Sequence, residues 1–427
     1  MALSDFVTAD FRDTPYWWDA ATPVPAPERA VPAQADAVIV GSGFTGLSAA
    51  LALLRGGRSV VVLDSEDPGF GASRRNAGYL GRTLKKSFPA LLQSAGREYA
   101  LAIYRDLDAA LQTVRDLIAD ERIDCHLVRC GRFIGATSPA HYEHMARDLA
   151  VTKQHLGFDF TMLPRAEQHR EMATDLYHGG AVIPDLGALH PGLYHRGLLD
   201  RVQAAGGVVL GRTPALALAA GRVRTPRGEI AARDIVVATN GYTPRQLRWY
   251  ARRVIPFTAY MAATEPLPEE LFRHLLPHGR TVIDSNVNID FIRPAPDSPR
   301  LLFGGATGSN LPSTAAIAER LSGILARIFP DLRATRLSHI WTGQCAGTFD
   351  LMPHMGRHDG IWYGLGYNFA GVPMGTFLGR QIARRILGLP DSQTAFERPP
   401  PTLPFYTGNP WFVPLAMRWF DWHDRRA

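Results

Sequence analysis

Apolar and polar positions divide the chain into segments of two periods. Ala35-Asp36-Ala37-Val38-Ile39-Val40 is short, apolar and bounded by glycine, which predicts a buried strand. A glycine-rich turn follows, then an apolar helix from Leu47 to Leu54 that ends at Gly56-Gly57. Ser59-Val60-Val61-Val62-Leu63-Asp64 predicts a second strand, completing a βαβ unit. Residues 88–175 are mostly helical by pattern, with a short apolar break at Arg132-Phe133-Ile134-Gly135. Strand character returns at Gly206–Leu210, in a hairpin around Gly221, and at Asp234-Ile235-Val236-Val237-Ala238-Thr239, which closes on Asn240-Gly241. From Val254 to about Gly347 the pattern shifts to short β segments, among them Val254–Thr264, Val287–Arg293 and Leu301–Gly305. They are separated by Pro, Asp and Gly, which predicts an antiparallel sheet, with a helix over Ala315–Ile328 beside it. A last strand over Ile361–Gly366 and a helix over Val372–Leu387 return to the α/β pattern.

Composition adds boundaries to this picture. At 427 residues the chain is long for one core, so two connected domains are expected. Hydrophobic residues at 46 % and charged residues at 20 % suit a folded enzyme. The net charge of +6 is spread along the chain, without the basic block of a nucleic-acid binder, although it would draw in an anionic substrate. Cys125, Cys130 and Cys345 make no disulfide framework, and Cys125-His126…Cys130 lacks the second half of a zinc site, so no metal is expected. Reduced thiols, no signal-peptide pattern at Met1–Asp5 and no membrane-length apolar run lead to an expected cytoplasmic location with no membrane partner. The first 33 residues, with Tyr16-Trp17-Trp18 and a Pro/Ala-rich run, read as an extended arm that packs by its aromatic rings.

The chemistry begins at Gly41-Ser42-Gly43-Phe44-Thr45-Gly46, between the first strand and its helix. Gly41 permits the tight turn, Gly43 lets backbone approach a pyrophosphate, and Gly46 allows close helix–sheet packing. The helix N-terminus offers N–H groups and partial positive charge to the phosphates. Asp64, 23 residues after Gly41 and followed by Ser65, is placed to accept from a ribose diol and favours an unphosphorylated ribose. Gly71-Ala72-Ser73-Arg74-Arg75-Asn76-Ala77-Gly78 combines small residues, guanidiniums and an amide suited to wrap the phosphate and ribityl part of a flavin. Near the end, Gly366 and the turn through Ala370, Gly371, Val372, Pro373 and Met374 aim N–H groups at one point, where a helix N-terminus stabilises the negative charge of a reduced flavin. Thr239-Asn240-Gly241 ends its strand at the edge where parallel sheets bind ligands.

The 71–78 segment resembles the Gly-Ala-Ser-x-Arg-Asn-x-Gly signature of the D-amino-acid oxidase superfamily of flavoenzymes, and within it the gamma-glutamylputrescine oxidoreductases and related amine oxidases. Further landmarks follow in order: Leu189-His190-Pro191-Gly192, Ala238–Tyr242, Ala263–Leu267, Leu302–Gly305, Trp341-Thr342-Gly343 through Pro353, and Gly364-Leu365-Gly366-Tyr367. Two departures stand out. Arg74 replaces a glycine common in relatives, and Phe369-Ala370 stands where relatives often carry Gly-His. The resemblance implies an α/β protein of the glutathione reductase-like FAD fold, D-amino-acid oxidase type. It has a Rossmann-like FAD-binding domain (34–90, 180–250 and 348–427, after an arm at 1–33) and an antiparallel β-sheet substrate domain (91–179 and 251–347). It places Thr239–Gly241 near the FAD and the backbone of Ala215 against the adenine.

The resemblance implies noncovalent FAD and oxidation of an amine or amino acid to an imine. The hydride passes to flavin N5, water hydrolyses the imine, and oxygen or another acceptor reoxidises the flavin. Such chemistry needs a deprotonated amine held close and aligned, not an acid/base pair. Tyr260, Phe291, Trp341, Tyr367 and Asn368 are the candidates for shaping the reacting pocket, and Arg82, Lys85 or Lys86 for holding an acidic substrate group. His190, in a Leu-His-Pro-Gly turn, is not expected to bond flavin covalently. A flavin-bearing electron-transfer subunit and an NAD(P)H-dependent flavin monooxygenase remain alternatives, the latter without a second Gly-x-Gly-x-x-Gly after a strand.

Overall fold

The computed structural model describes residues 2–424. Its organising element is a parallel sheet in the spatial order Ile361–Leu365, Gly228–Val237, Gln34–Val40, Val60–Leu63, Val208–Leu210. Their central stretches, Ala37–Val40, Val60–Leu63, Ile235–Val237 and Ile361–Leu365, are apolar on both faces because both faces are covered there. The predicted hairpin around Gly221 joins Ala217–Ala219 to Arg222–Thr225 and extends antiparallel onto the first half of Gly228–Val237. Helices Phe44–Arg55, Pro191–Ala204 and Gly371–Ile386 bury Leu47, Leu198 and Leu378 in one core.

Helix Arg97–Asp120 enters that same core. Its Ile103, Leu107, Leu111, Val114 and Ile118 recur at helical spacing and are buried against the nucleotide-side helices. The segment 91–179 is therefore divided between the two layers: this helix packs with the parallel sheet, while Arg132–Gly135 and Thr161–Leu163 are strands of the second sheet.

The second sheet has nine strands, in the order Val7–Arg12, Leu337–Gly347, Ile255–Thr264, Leu301–Gly305, Phe291–Pro294, Thr281–Asp284, Arg132–Gly135, Gly180–Ile183, Thr161–Leu163. It is antiparallel except at two joints, Val7–Arg12 with Leu337–Gly347 and Thr281–Asp284 with Arg132–Gly135. The N-terminal arm thus does more than pack by its rings, since it supplies an edge strand. Helix Thr314–Ile328 starts on Ser313, whose hydroxyl accepts from the Ala316 N–H, and covers one face with Ile317, Leu321, Ile324 and Ile328. The strand expected at Val287–Arg293 begins only at Phe291. The Asp284 carboxylate accepts from the Asn286 and Asp290 N–H groups and holds the intervening residues in a turn. Among the described residues, no helix is long and apolar enough to cross a membrane.

Candidate active site

One cavity of about 620 Å³ runs from the carboxyl edge of the parallel sheet to the uncovered face of the nine-stranded sheet. At its first end, Gly41 has φ +106°, and a Cβ there would meet the Ala238 carbonyl oxygen at 2.7 Å. A Cβ on Gly46 would come within 1.9 Å of the Gly41 oxygen, so the helix rests directly on the turn. Gly43, Phe44 and Thr45 line the cavity, with the Phe44 N–H donating to Ser73 Oγ at 3.0 Å. Gly46 lies behind the turn, not on the wall.

Asp64 lines the same end together with Ser65, Ala215, Thr239 and Gly241. Its Oδ2 accepts from the Ser42 N–H at 2.9 Å and from the Ser42 hydroxyl, and its Oδ1 accepts from the Glu66 N–H at 3.0 Å. Burial raises its pKa, against the pull of these hydrogen bonds. Asn240, at φ +43°, accepts through Oδ1 from the Gly366 N–H at 2.8 Å and ties two strand ends together.

Gly71, Ala72, Ser73, Arg75, Asn76 and Ala77 line the middle of the cavity. Asn76 holds the loop by donating to the Ala72 and Ser73 carbonyls and accepting from the Gly78 N–H. Gly78 faces away, packed against the Leu189 carbonyl. The Arg75 guanidinium donates to the Phe70 and Thr342 carbonyls and lies over the Trp18 and Phe70 rings. Two indoles fasten the loop from outside, Trp17 Nε1–H to the Asn76 carbonyl and Trp341 Nε1–H to the Arg75 carbonyl, each at 2.8 Å.

Arg74 is a correction. Instead of facing a cofactor it is 1 % exposed behind the loop, where it donates to His195 Nδ1 at 2.9 Å and to the Ala21 and Thr22 carbonyls. His195 Nε2–H in turn donates to the Ser42 carbonyl at 2.7 Å, which leaves the ring neutral with its proton on Nε2. Burial and the Arg74 charge push the His195 pKa down to about 3. Through His195, Arg74 thus braces the Gly41–Gly46 turn from behind. Gly69, at φ +94°, makes the room, since a Cβ there would strike Arg74 Nε.

At the far turn, Tyr367, Asn368, Ala370, Gly371, Val372 and Pro373 line the cavity. The Tyr367 hydroxyl meets Thr45 Oγ1 at 2.6 Å, and Asn368 donates to the Gly366 carbonyl. Asn368 and Phe369 both have positive φ, +46° and +75°. Gly366 and Met374 are corrections as wall residues: Gly366 packs on Thr348, and Met374 is buried in the helix core.

Among the pocket-shaping candidates on the sheet, Phe291 lines the cavity, whereas Tyr260 and Trp341 do not. Side chains alternate along Ile255–Thr264, so Tyr260 falls on the helix-covered face with Ala262 while Phe257, Ala259 and Met261 face the cavity. Trp341 stands on the Met261 side but is spent on the Arg75 carbonyl. Arg82 is held by Asp108 and Asp185, and Lys86 lies off the cavity, whereas Lys85 lines it. His190 lies off the cavity and caps helix Pro191–Ala204 by accepting from the Leu193 N–H.

Several wall residues had no motif to announce them. Arg132, Ile283 and Ile289 arrive from strands and a turn, and Val413, Ala416, Met417 and Phe420 from the last helix, Val413–Asp424. The 3-and-4 spacing of that last set was the available signal.

These residues fit FAD: a long cavity, two helix starts, an acid at one end, and glycine turns that let backbone approach. The DAO family profile, FAD dependent oxidoreductase, matches residues 36–385. The chain is similar to gamma-glutamylputrescine oxidoreductase of Escherichia coli, 30 % identical over 404 residues that cover 91 % of this chain and 93 % of that one. It is also similar to the probable oxidoreductase OrdL of Haemophilus influenzae, 28 % identical over 85 % of each chain. Among solved structures, glycine oxidase from Geobacillus kaustophilus superposes with a TM-score of 0.71 at 22 % identity, covering 86 % of this chain and 97 % of that one, and so shares the fold. Profile, relatives and cavity agree, and the chain belongs to the DAO family of FAD-dependent oxidoreductases.

Proposed function

We propose that this protein oxidises a C–N bond of an amine or amino acid to an imine, which water then hydrolyses. The carrying observation is that residues for the cofactor and an apolar sheet face share one cavity: Gly43 and Ala72 on one side, Phe257, Met261 and Phe291 on the other. The relatives named for gamma-glutamylputrescine and glycine support the same class of substrate. Bound FAD would supply the two-electron acceptor for the hydride of the carbon beside nitrogen.

The protein's part is placement. Gly43, Phe44 and Thr45 would hold the pyrophosphate, Asp64 the ribose, and Ala72, Ser73, Arg75, Asn76 and Ala77 the flavin, with Gly371–Pro373 presenting a helix start to it. Phe257, Ala259, Met261 and Phe291 exclude water from the reacting face and leave a neutral amine unhydrated, which favours hydride loss. Oxygen or another acceptor would restore the oxidised flavin. The three free thiols support a cytoplasmic setting.

The test is anaerobic mixing of the purified yellow protein with a panel of amines and amino acids, followed at the flavin absorbance band. Bleaching by an amine and not by NADH is expected. Protein purified without flavin, or bleached only by NADH, would overturn the reading.

A further inference from the structure

Large apolar side chains in contact with water gather in residues 403–422. Phe405 is 97 % exposed in a turn where its φ is +66°, and Trp411 and Leu415 are 71 % and 60 % exposed. Trp419 and Trp422 are exposed too, so a stripe at helical spacing starts at Trp411 and runs along helix Val413–Asp424. The other face of this helix is occupied, since Val413, Ala416, Met417 and Phe420 line the cavity. Elsewhere exposed apolar residues stand in ones and twos or border the cavity, as Val287, Leu351 and Phe369 do. A contiguous apolar stripe outside the cavity marks a contact surface.

Arginines border the stripe. Thr402 Oγ1 donates to the Arg252 carbonyl at 2.8 Å, and Arg252 Nε–H donates to the Tyr406 carbonyl at 3.1 Å. The Tyr406 ring packs against Phe412 with centroids 5.9 Å apart, and Trp411 meets Phe412 edge-on at 5.8 Å. The turn bearing Phe405 and the start of the stripe are thereby fastened beside Arg245, Arg248 and Arg252, all exposed. Arg418 adds an exposed cation on the helix itself. The sequence carries the same bias, with no Asp or Glu between Asp234 and Glu265 or between Glu397 and Asp421. Among the described residues, no carboxylate pairs with Arg245, Arg248 or Arg252, and Asp359 lies against His358, whose ring stacks on Trp249.

Outward tryptophans on an amphipathic helix, bordered by arginines, suit the interface of an anionic bilayer, where indoles lie at headgroup level and guanidiniums meet lipid phosphate. A twofold contact with a second copy would instead press one arginine-bordered patch against another. We propose that Phe405, Trp411 and Leu415, with Arg245, Arg248 and Arg252 beside them, dock this protein onto the surface of an anionic phospholipid membrane. Spanning a bilayer needs a long apolar helix, which the described residues lack, but lying along its surface needs only one apolar face. Because the inner face of the same helix lines the cavity, docking brings lipid within one helix diameter of it.

The test is sedimentation of the FAD-loaded protein with vesicles of phosphatidylcholine alone and of equimolar phosphatidylcholine and phosphatidylglycerol. Partition onto the mixed vesicles at least about tenfold above the neutral ones is expected, falling as salt rises. Trp411→Ser combined with Leu415→Ser should lower that partition about tenfold or more, with flavin content and melting temperature unchanged. Arg245→Ser combined with Arg248→Ser should lower it by about tenfold on the mixed vesicles alone. Absence of partition onto either vesicle overturns the proposal. So does equal partition of the wild type onto both, because the arginines then play no part. A wild-type dimer that ignores lipid and that the Trp411→Ser, Leu415→Ser chain cannot form would make the stripe a self-contact and likewise overturn it. Should that double variant lose its flavin, Phe405→Ser, on the exposed turn, takes its place with an expected loss of about fivefold. Failure here leaves the amine chemistry standing, since that is read at the flavin band without lipid.

Discussion

Two strand–turn–helix units meet in this protein, and they solve the same problem differently. At Gly41–Gly46 the backbone turns on glycine, with φ +106° at Gly41, and the helix behind it rests on Gly46. At Gly366–Met374 the turn again begins on glycine, but Asn368 and Phe369 then adopt positive φ, where a side chain costs about 1–2 kcal/mol. Hydrogen bonds and packing over-determine that strained pair: the Asn368 amide donates to Gly366, its N–H to the Ala346 carbonyl, and the Phe369 ring lies 5.2 Å from that of Phe257. The two helices pack through Gly379 against Thr45, and the Tyr367–Thr45 hydroxyl pair joins turn to turn. The first unit is built for backbone approach. The second gives up glycine at two positions and sets Asn368 and Phe369 on the cavity wall.

The largest expected effect breaks the first unit and spares the second. Gly46→Ala sets a Cβ 1.9 Å from a backbone oxygen that cannot move without the turn, so a loss above about 4 kcal/mol, or no folded flavoprotein, is expected. Gly371→Ala meets nothing within 4 Å and should change stability by less than about 0.5 kcal/mol. Thermal melts and flavin content of both variants check the contrast.

Acid should also strike the first unit harder. Burial holds the His195 pKa down to about 3 and that of His190 to about 4, while unfolded imidazoles titrate near 6.5. Their folded pKa values are depressed, so the unfolded chain binds more protons below 6.5. The stability present above pH 6.5 is therefore lost as pH falls, by about 1.4 kcal/mol per pH unit for each group, until the folded values are reached. Because His195 holds the Ser42 carbonyl, flavin release should accompany the loss. Unchanged melting between pH 7 and pH 5 would contradict this.

Smaller effects sharpen the comparison at its joint. Tyr367→Phe removes a buried hydroxyl pair and should cost about 1–2 kcal/mol, with Thr45→Val giving a non-additive double mutant. The smallest contrast concerns strain itself. Phe369→Ala keeps the positive φ and loses the ring, whereas Phe369→Gly loses both ring and strain. The glycine variant should be the more stable of the two by about 0.5–1 kcal/mol, after the entropy of a freer unfolded chain. Equal melting temperatures would mean that the turn holds no strain.

The legible parts of the site were those where backbone geometry is written in single residues. Gly41 and Gly46 announced a turn only glycine allows, and Asp64 stood at the end of the next strand as the pattern required. Asn76 holds its own loop through partners no more than four residues away, Ala72, Ser73 and Gly78. Arg74 misled for the opposite reason. Its sequence neighbours all line the cavity, but its partner His195 is 121 residues away, and only folding shows that the side chain turns back.

The same boundary holds on the nine-stranded sheet. The period of two along Ile255–Thr264 was visible, yet which face would be covered by helix Thr314–Ile328 was not, and Tyr260 and Met261 exchanged roles on that choice. The sequence by itself determined the dinucleotide unit, because turns and βαβ signals are local and each residue's demand is met by its near neighbours. Only the tertiary structure decided that Arg132, Phe257, Phe291 and the Val413–Asp424 helix enclose one cavity. Their contacts join segments far apart in the chain, and nothing in a local pattern records which distant surface closes over them.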